Sequence, residues 1–210
     1  MGALYDRFLR KSPKQSRSRS VVESVLQAAM ELVSEKDEDD ETALHEIASR
    51  AGVGVGSLYD YFADRGSILS GVAAKVTEDN LRFFEAQLET SRREPLDVAV
   101  GQLIDLMFRT YLSNVRIPRI ALKVAHRIGL MPTIADSLRS FSVSLSRALK
   151  QRDDVRPEDV DVAAFVVTNM AMGVLHTLMW SENRAFTDAQ LRDQLVEACV
   201  RYLRVDAQPG

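Results

Sequence analysis

The sequence predicts an all-α protein, and three observations carry that prediction. Glycine (10) and proline (6) are sparse in 210 residues. Apolar residues recur at three- and four-residue spacing almost throughout. No segment alternates apolar and polar residues as a half-buried strand would.

The elements follow in order. Residues 1 to 20 are polar and basic, with Arg7, Arg10, Lys11, Lys14, Arg17 and Arg19 against Asp6. Residues 1–17 are expected to form a basic flexible arm. The first helix carries Val22, Val25, Leu26, Ala29, Leu32 and Val33 on one stripe. It ends in EKDEDDE, residues 35–41, which reads as a solvated acidic loop. Thr42 is the expected N-cap of a short second helix, in which Leu44, Ile47, Ala48 and Ala51 share a face. Gly52 is expected to stop it with a left-handed residue.

From about residue 67 the pattern changes to long helices. One runs to about Glu94 and ends before Pro95; another spans roughly 96–114. Pro118 and Pro132 open the next two as first-turn prolines. Pro157 opens a helix that carries no charge from Val162 to Trp180, and Thr187 caps a last one through Leu203. The domain reading is therefore 18–66 for a helix-turn-helix unit and 67–206 for a larger helical bundle.

Composition narrows the class further. The chain is 46% hydrophobic and 27% charged with a net charge of −3, ordinary for a soluble globular protein. Cys199 is the only cysteine, which excludes an internal disulfide and a cysteine metal cluster. The basic N-terminus lacks an apolar core of signal-peptide length, so a cytoplasmic protein is expected. The uncharged 162–180 stretch is long enough to cross a bilayer. However, Asn169, His176, two threonines and acidic flanks on both sides favour a buried bundle helix, and no membrane partner is expected.

The run AGVGVGSLYDYF, residues 51–62, places three glycines at alternate positions before an aromatic cluster. It lacks the spacing of a phosphate-binding loop and follows a helix rather than a strand. Helix, short glycine turn and second short helix is the helix-turn-helix pattern. Val53, Leu58 and Phe62 would pin the second helix inward, leaving Val55, Gly56, Ser57, Tyr59 and Tyr61 outside. Small residues at the start of a recognition helix let backbone approach DNA closely. A plain helical hairpin with a loosened turn is the rival reading of the same residues.

The run TALHEIASRAGVGVGSLYDYFADRGSIL, Thr42 to Leu69, resembles the DNA-binding signature of TetR-family transcriptional regulators. With the first helix, the resemblance spans roughly residues 18–70; beyond them only the helix layout matches. It implies a cytoplasmic homodimeric regulator, a repressor, on a palindromic DNA operator. Thr42 stands at a phosphate-contact position, His45 at one that reaches a base in some members, and Val55, Gly56 and Ser57 at base-facing positions. Tyr59 and Tyr61 match DNA-contacting positions, and Arg65 replaces the usual phosphate-gripping lysine. Arg17 and Arg19 join this set because residues 1–70 hold nine Lys/Arg against twelve Asp/Glu. Neutralised phosphates supply most non-specific affinity, so the arm must contribute cations.

The resemblance also places a dimer face on roughly 157–181 and 187–204. It places an effector pocket in the bundle for a small hydrophobic or aromatic molecule. Candidates for that pocket are Met107, Tyr111, His126, Phe141, Asn169, Met170, Gly173 and His176. The scattered histidines form no metal or hydrolytic motif, so no enzyme, metal or cofactor is expected. The alternative is an all-helical small-molecule binding protein with a degenerate DNA-binding domain, motivated by the acidic first domain and a recognition helix poor in hydrogen-bonding side chains.

Overall fold

The structure is a computed structural model that describes residues 4–35, 43–127, 129–155, 159–181 and 185–204. Among the described residues the chain forms nine α-helices, one short 3-10 turn (Leu4–Phe8) and no strands. It divides into two compact units. The first comprises residues 1–79 with 114–132; the second comprises 80–113 with 133–210.

In the first unit, α1 (Ser16–Glu35) buries Val22, Val25, Leu26, Ala29, Leu32 and Val33, the stripe read from the sequence. The short α2 (Leu44–Arg50) and α3 (Val55–Tyr61) add Ile47, Ala48 and Leu58. The first half of α4 (Arg65–Thr90) closes the core with Ile68, Leu69, Val72 and Ala73. A Cβ at Gly71 would stand 2.8 Å from the Leu26 side chain and 3.7 Å from Phe62, so a larger residue there would have to displace the end of Leu26. Helix α6 (Arg116–Arg127) belongs to this unit, with Val124 packed among Val33, Leu69 and Ala73. Arg116 also donates to the Ser34 carbonyl at 3.3 Å.

Two expectations change here. The boundary falls within α4 rather than at residue 66, because α4 buries its first turns in the first core and α6 returns to it. The stretch before α1 is also anchored rather than a free arm. Tyr5 is buried and donates to Glu23 at 3.3 Å, and the Leu4 amide donates to Glu78 at 3.0 Å. An apolar ring and paired backbone fix a segment whose composition alone reads as solvated.

The second unit contains the rest of α4, then α5 (Leu96–Leu112), α7 (Met131–Leu149), α8 (Val160–Trp180) and α9 (Asp188–Leu203). Its core joins Phe84, Leu96, Ile104, Met107, Phe141, Leu145, Ala164, Val167, Leu175, Leu195 and Cys199. Thr187 caps α9 as expected: its side chain accepts from the Gln190 amide at 3.1 Å while Gln190 accepts from the Thr187 amide at 2.8 Å. Pro157, expected to open α8, lies outside the described residues. The Asp159 side chain caps that helix instead, accepting from the Val162 amide at 3.3 Å with its own backbone left-handed at φ 98°. Arg192 forks onto Asp105 at 2.7 and 2.9 Å, tying α9 to α5.

Helix α8 is the one described helix long and apolar enough to cross a membrane. It nevertheless buries a face, from Val160 through Ala164, Val167 and Ala171 to Leu175, in the core of its own unit.

Candidate nucleic-acid interface and effector cavity

The interface is built on two very short helices. Thr42, the expected cap and phosphate contact, lies outside the described residues. Ala43 is the N-cap of α2, and Glu46 turns back to accept from the Ala43 amide at 2.9 Å. His45 is exposed on this helix. Gly52 then adopts φ +67°, where a side chain is disfavoured, and the Val53 amide closes the turn on the Ala48 carbonyl at 3.0 Å. Gly54 is the N-cap of α3.

Leu58 and Phe62 are fully buried, so they fix which side of α3 faces outward. Val55 is 41% exposed and Tyr59 43%, with Gly56 and Ser57 exposed beside them and Tyr61 half-buried. A Cβ at Gly54 or Gly56 would meet nothing within 4 Å. Nothing in the packing of the described residues therefore requires glycine at those two positions. Helix propensity, about 1 kcal/mol at an interior glycine, is given up at Gly56 with no internal compensation.

Flanking cations complete the surface. Arg65 opens α4, half-buried, behind a reciprocal cap in which Ser67 and Asp64 exchange bonds of 2.7 and 3.2 Å. Arg17 and Arg19 are exposed in the first turn of α1. Arg50 is committed elsewhere: it forks onto Glu35 at 2.9 and 2.8 Å, and that hydrogen-bonded cation holds the Glu35 carboxyl below its usual range. The sequence reading missed Arg10 and Lys11, which sit at the C-terminal end of α3. The Arg10 amide donates to the Tyr61 carbonyl at 2.8 Å, and the Lys11 ammonium lies 4.9 Å from the centre of the Tyr61 ring. Their basic character was legible, but no local pattern indicated where they dock.

The second unit holds a cavity of about 70 Å³. Its wall is mainly apolar, with Leu103, Met107, Phe141, Leu145 and Val167 prominent. Polar groups gather at one end. The Ser91 hydroxyl donates to Gln102 at 2.6 Å and accepts from Gln87 at the same distance, with Arg92 and Arg152 alongside. Arg152 is paired with Asp154 at 2.8 Å, which pulls the Asp154 carboxyl below its usual value. Thr168 and Cys199 are polarizable points in the wall. The threonine donates to the Ala164 carbonyl at 2.8 Å, and burial pushes the thiol up to about 11.

Of the residues expected at a ligand site, Met107 and Phe141 line this cavity. The others do not. His126 belongs to the first unit and is exposed, because α6 turns its neighbours Val124 and Ala125 into that core. Asn169 and Gly173 lie on the exposed side of α8, and Asn169 donates to the Phe165 carbonyl at 2.8 Å. Tyr111 and Met170 pack around the core, with Tyr111 stacked on Phe84 at 6.3 Å between centroids. His176 is half-buried outside the cavity wall, where desolvation lowers its pKa. Asn169, Gly173 and His176 share a side of α8 that faces away from the cavity, which receives Thr168 instead.

That outward side of α8 also carries Val162, Phe165, Val166 and Trp180, all exposed, with Tyr202 exposed on α9. Within the stretch expected to form a dimer face, Ala164 and Ala171 are instead buried in their own core. A helix buried on one side and apolar on the other presents a surface suited to a further protein layer.

A turn-fixed short helix on one unit and a helical bundle as the other are the layout of a helix-turn-helix regulator. Comparisons with known proteins agree. The family model for the Tetracyclin repressor-like C-terminal domain matches residues 95–203, and that for bacterial regulatory proteins of the tetR family matches residues 25–72. The chain belongs to the TetR family and is a DNA-binding transcriptional regulator. Among solved structures, it is similar to a TetR-family regulator of Mesorhizobium loti, with 19% identity, TM-score 0.71, and 91% of this chain and 100% of that one covered. A regulator of Streptomyces coelicolor aligns with 19% identity, TM-score 0.64, and 86% and 81% covered. RolR in complex with resorcinol aligns with 21% identity, TM-score 0.55, and 91% of each chain covered. These likenesses concern the fold. No curated protein matches the sequence.

Proposed function

We propose that the protein is a cytoplasmic homodimeric repressor that binds a palindromic operator through α2 and α3 and is released by a small, mainly apolar effector. The observation that carries the DNA half is the start of α3, where Gly54 and Gly56 leave open space beside exposed Val55, Ser57 and Tyr59. In this reading Val55 meets a thymine methyl, Ser57 a base edge, and Tyr59, Tyr61, Arg65, Arg17 and Arg19 the phosphates. Thr42 and His45 remain assigned to the same surface by resemblance. Dimerisation through α8 and α9 covers Phe165, Val166, Trp180 and Tyr202, and a two-fold dimer spaces its recognition helices for a palindrome.

The effector half rests on the cavity of the second unit. Its polar end supports a ligand with an apolar body and one or two hydrogen-bonding groups. At about 70 Å³ it is far too small for a bulky drug, and a single ring would enter only if its wall gave way. Release follows if effector binds better to a state with low operator affinity; coupling is then reciprocal, and operator DNA weakens effector binding equally. RolR holds resorcinol, so resorcinol is a reasonable first probe here.

The test is a gel shift with DNA from upstream of the coding sequence, with and without small phenols. A shift to a dimer-sized complex on a palindromic site, reversed by one of them, is the expected result. Absence of binding to any duplex at low salt would favour a small-molecule binding protein with a degenerate DNA-binding domain.

A further inference from the structure

The segment before α1 is held at both ends. Upstream, the buried Tyr5 ring, its bond to Glu23 and the Leu4 amide on Glu78 fix the 3-10 turn. Downstream, the Gln15 amide donates to the Ser18 hydroxyl at 3.2 Å while that hydroxyl donates back to the Gln15 carbonyl at 2.8 Å, starting α1. Pro13 is buried between these anchors. The chain between them therefore has little freedom, and its path runs along the last turn of α3.

Three contacts meet there. The Arg10 amide donates to the Tyr61 carbonyl at 2.8 Å, and its guanidinium lies 3.5 Å from the Tyr59 carbonyl. The Lys11 ammonium stands over the Tyr61 ring and 3.5 Å from Asp60. A seven-residue helix is marginal alone, and the carbonyls of its last turn have no partners within it. A donor and two cations at that end satisfy carbonyls and oppose the negative pole of the helix.

We infer that residues 4–15 form a strap that seats Arg10 and Lys11 beside Tyr59 and Tyr61, and that these two cations are phosphate contacts of the DNA interface. The inference rests on Tyr59 and Tyr61 facing DNA. If they do, cations anchored within one side-chain length of them lie at the same backbone. Both members of the Lys11–Asp60 pair are more than half exposed, so the pair is weak in water and Lys11 can exchange Asp60 for a phosphate. The exchange also addresses the acidity of the first seventy residues: cations belonging to the strap are concentrated at the reading end of the unit rather than spread along an arm.

The experiment uses the full chain with Lys11→Gln, Lys11→Arg and the double change Arg10→Gln, Lys11→Gln. Binding to a mixed-sequence duplex, and to the operator selected from random DNA, is followed by fluorescence anisotropy across a sodium chloride series. Lys11→Gln is expected to flatten the log–log salt slope by about 1 and the double change by about 2, on both duplexes, while Lys11→Arg keeps the wild-type slope. Helix content should not move and the melting midpoint should fall only slightly for Lys11→Gln, whose side chain is more than half exposed. If the double change loosens the fold, the Lys11→Gln and Lys11→Arg pair alone decides. Weaker binding with an unchanged slope would reduce the strap to a clasp for α3 and overturn the phosphate assignment. A wild type that binds neither duplex would remove the DNA reading beneath it, and this inference with it.

Discussion

Tyr59 and Tyr111 carry one side chain into opposite surroundings. Tyr59 stands 43% exposed on α3, with its backbone carbonyl near Arg10. Tyr111 stacks on Phe84 in the second unit, where burial raises its phenol above the usual value against a hydrogen bond to Asn80. The first unit turns polar groups outward from a small core, as a surface that reads DNA requires. The second packs Phe84, Tyr111 and Phe141 into a larger core, with Phe141 on the cavity wall, and leaves Phe165, Trp180 and Tyr202 exposed. Changes on the outer face of α3 should therefore separate stability from binding, whereas changes to a buried ring should mix them.

Removing the anchor of α3 tests that contrast most severely. Phe62 is fully buried, so Phe62→Ala is expected to cost about 3–5 kcal/mol of stability and abolish DNA binding with it. Thermal unfolding and a gel shift report both. A mild loss of stability would mean the first core is not built around that ring.

Tyr59→Ala should do the reverse. Helicity, melting and dimer mass stay as in wild type, while operator affinity falls about tenfold or more, the effect of losing a hydrogen bond to a charged group. A collapse of the fold instead would make Tyr59 part of the core and erase the distinction between the two tyrosines.

Gly56→Ala sharpens the comparison because its two effects have opposite signs. The added methyl meets nothing within 4 Å among the described residues, so α3 should gain up to about 1 kcal/mol of helix stability. Operator affinity should fall, since the methyl enters the space where backbone approaches DNA. Isothermal titration with the selected operator, beside a melting curve, checks both. Affinity equal to wild type would show that the glycine serves no contact.

Arg65→Ala is expected to weaken all duplexes alike and to flatten the salt slope by about 1. The smallest effect belongs to the second unit. Burial holds His176 below its ordinary value of 6.5, so as pH falls through about 6.5 the unfolded chain takes a proton first. The stabilising contribution is complete above that pH and is lost below it. Urea titrations between neutral and mildly acidic pH should show the loss, and His176→Gln should lessen it.

The legible parts of the molecule share a physical feature: they depend on local backbone chemistry. Gly52 had to be left-handed, Thr187 had to cap, and Leu58 with Phe62 had to point inward, because each follows from residues within one or two turns. Thus the turn, the helix ends and the exposed face of α3 could be read directly. The phase of α8 could not. A helix apolar on all sides gives no preferred face, so which of Thr168 and Asn169 meets the cavity depends on neighbours distant in sequence. His126 was misplaced for the same reason: only the return of α6 to the first core decides that Val124 turns in and His126 turns out.

By itself, then, the sequence determined an all-α chain, the limits of nearly every helix, a helix-turn-helix and the residues on its outer surface. Periodicity, capping and left-handed glycine are short-range effects, and they are written into adjacent residues. Tertiary structure alone decided that α6 joins the first unit, that α8 shows its cavity Thr168 rather than Asn169 or His176, and that Arg10 and Lys11 close on the end of α3. Those outcomes depend on which surfaces exclude water together, and that competition is settled between segments far apart in the chain.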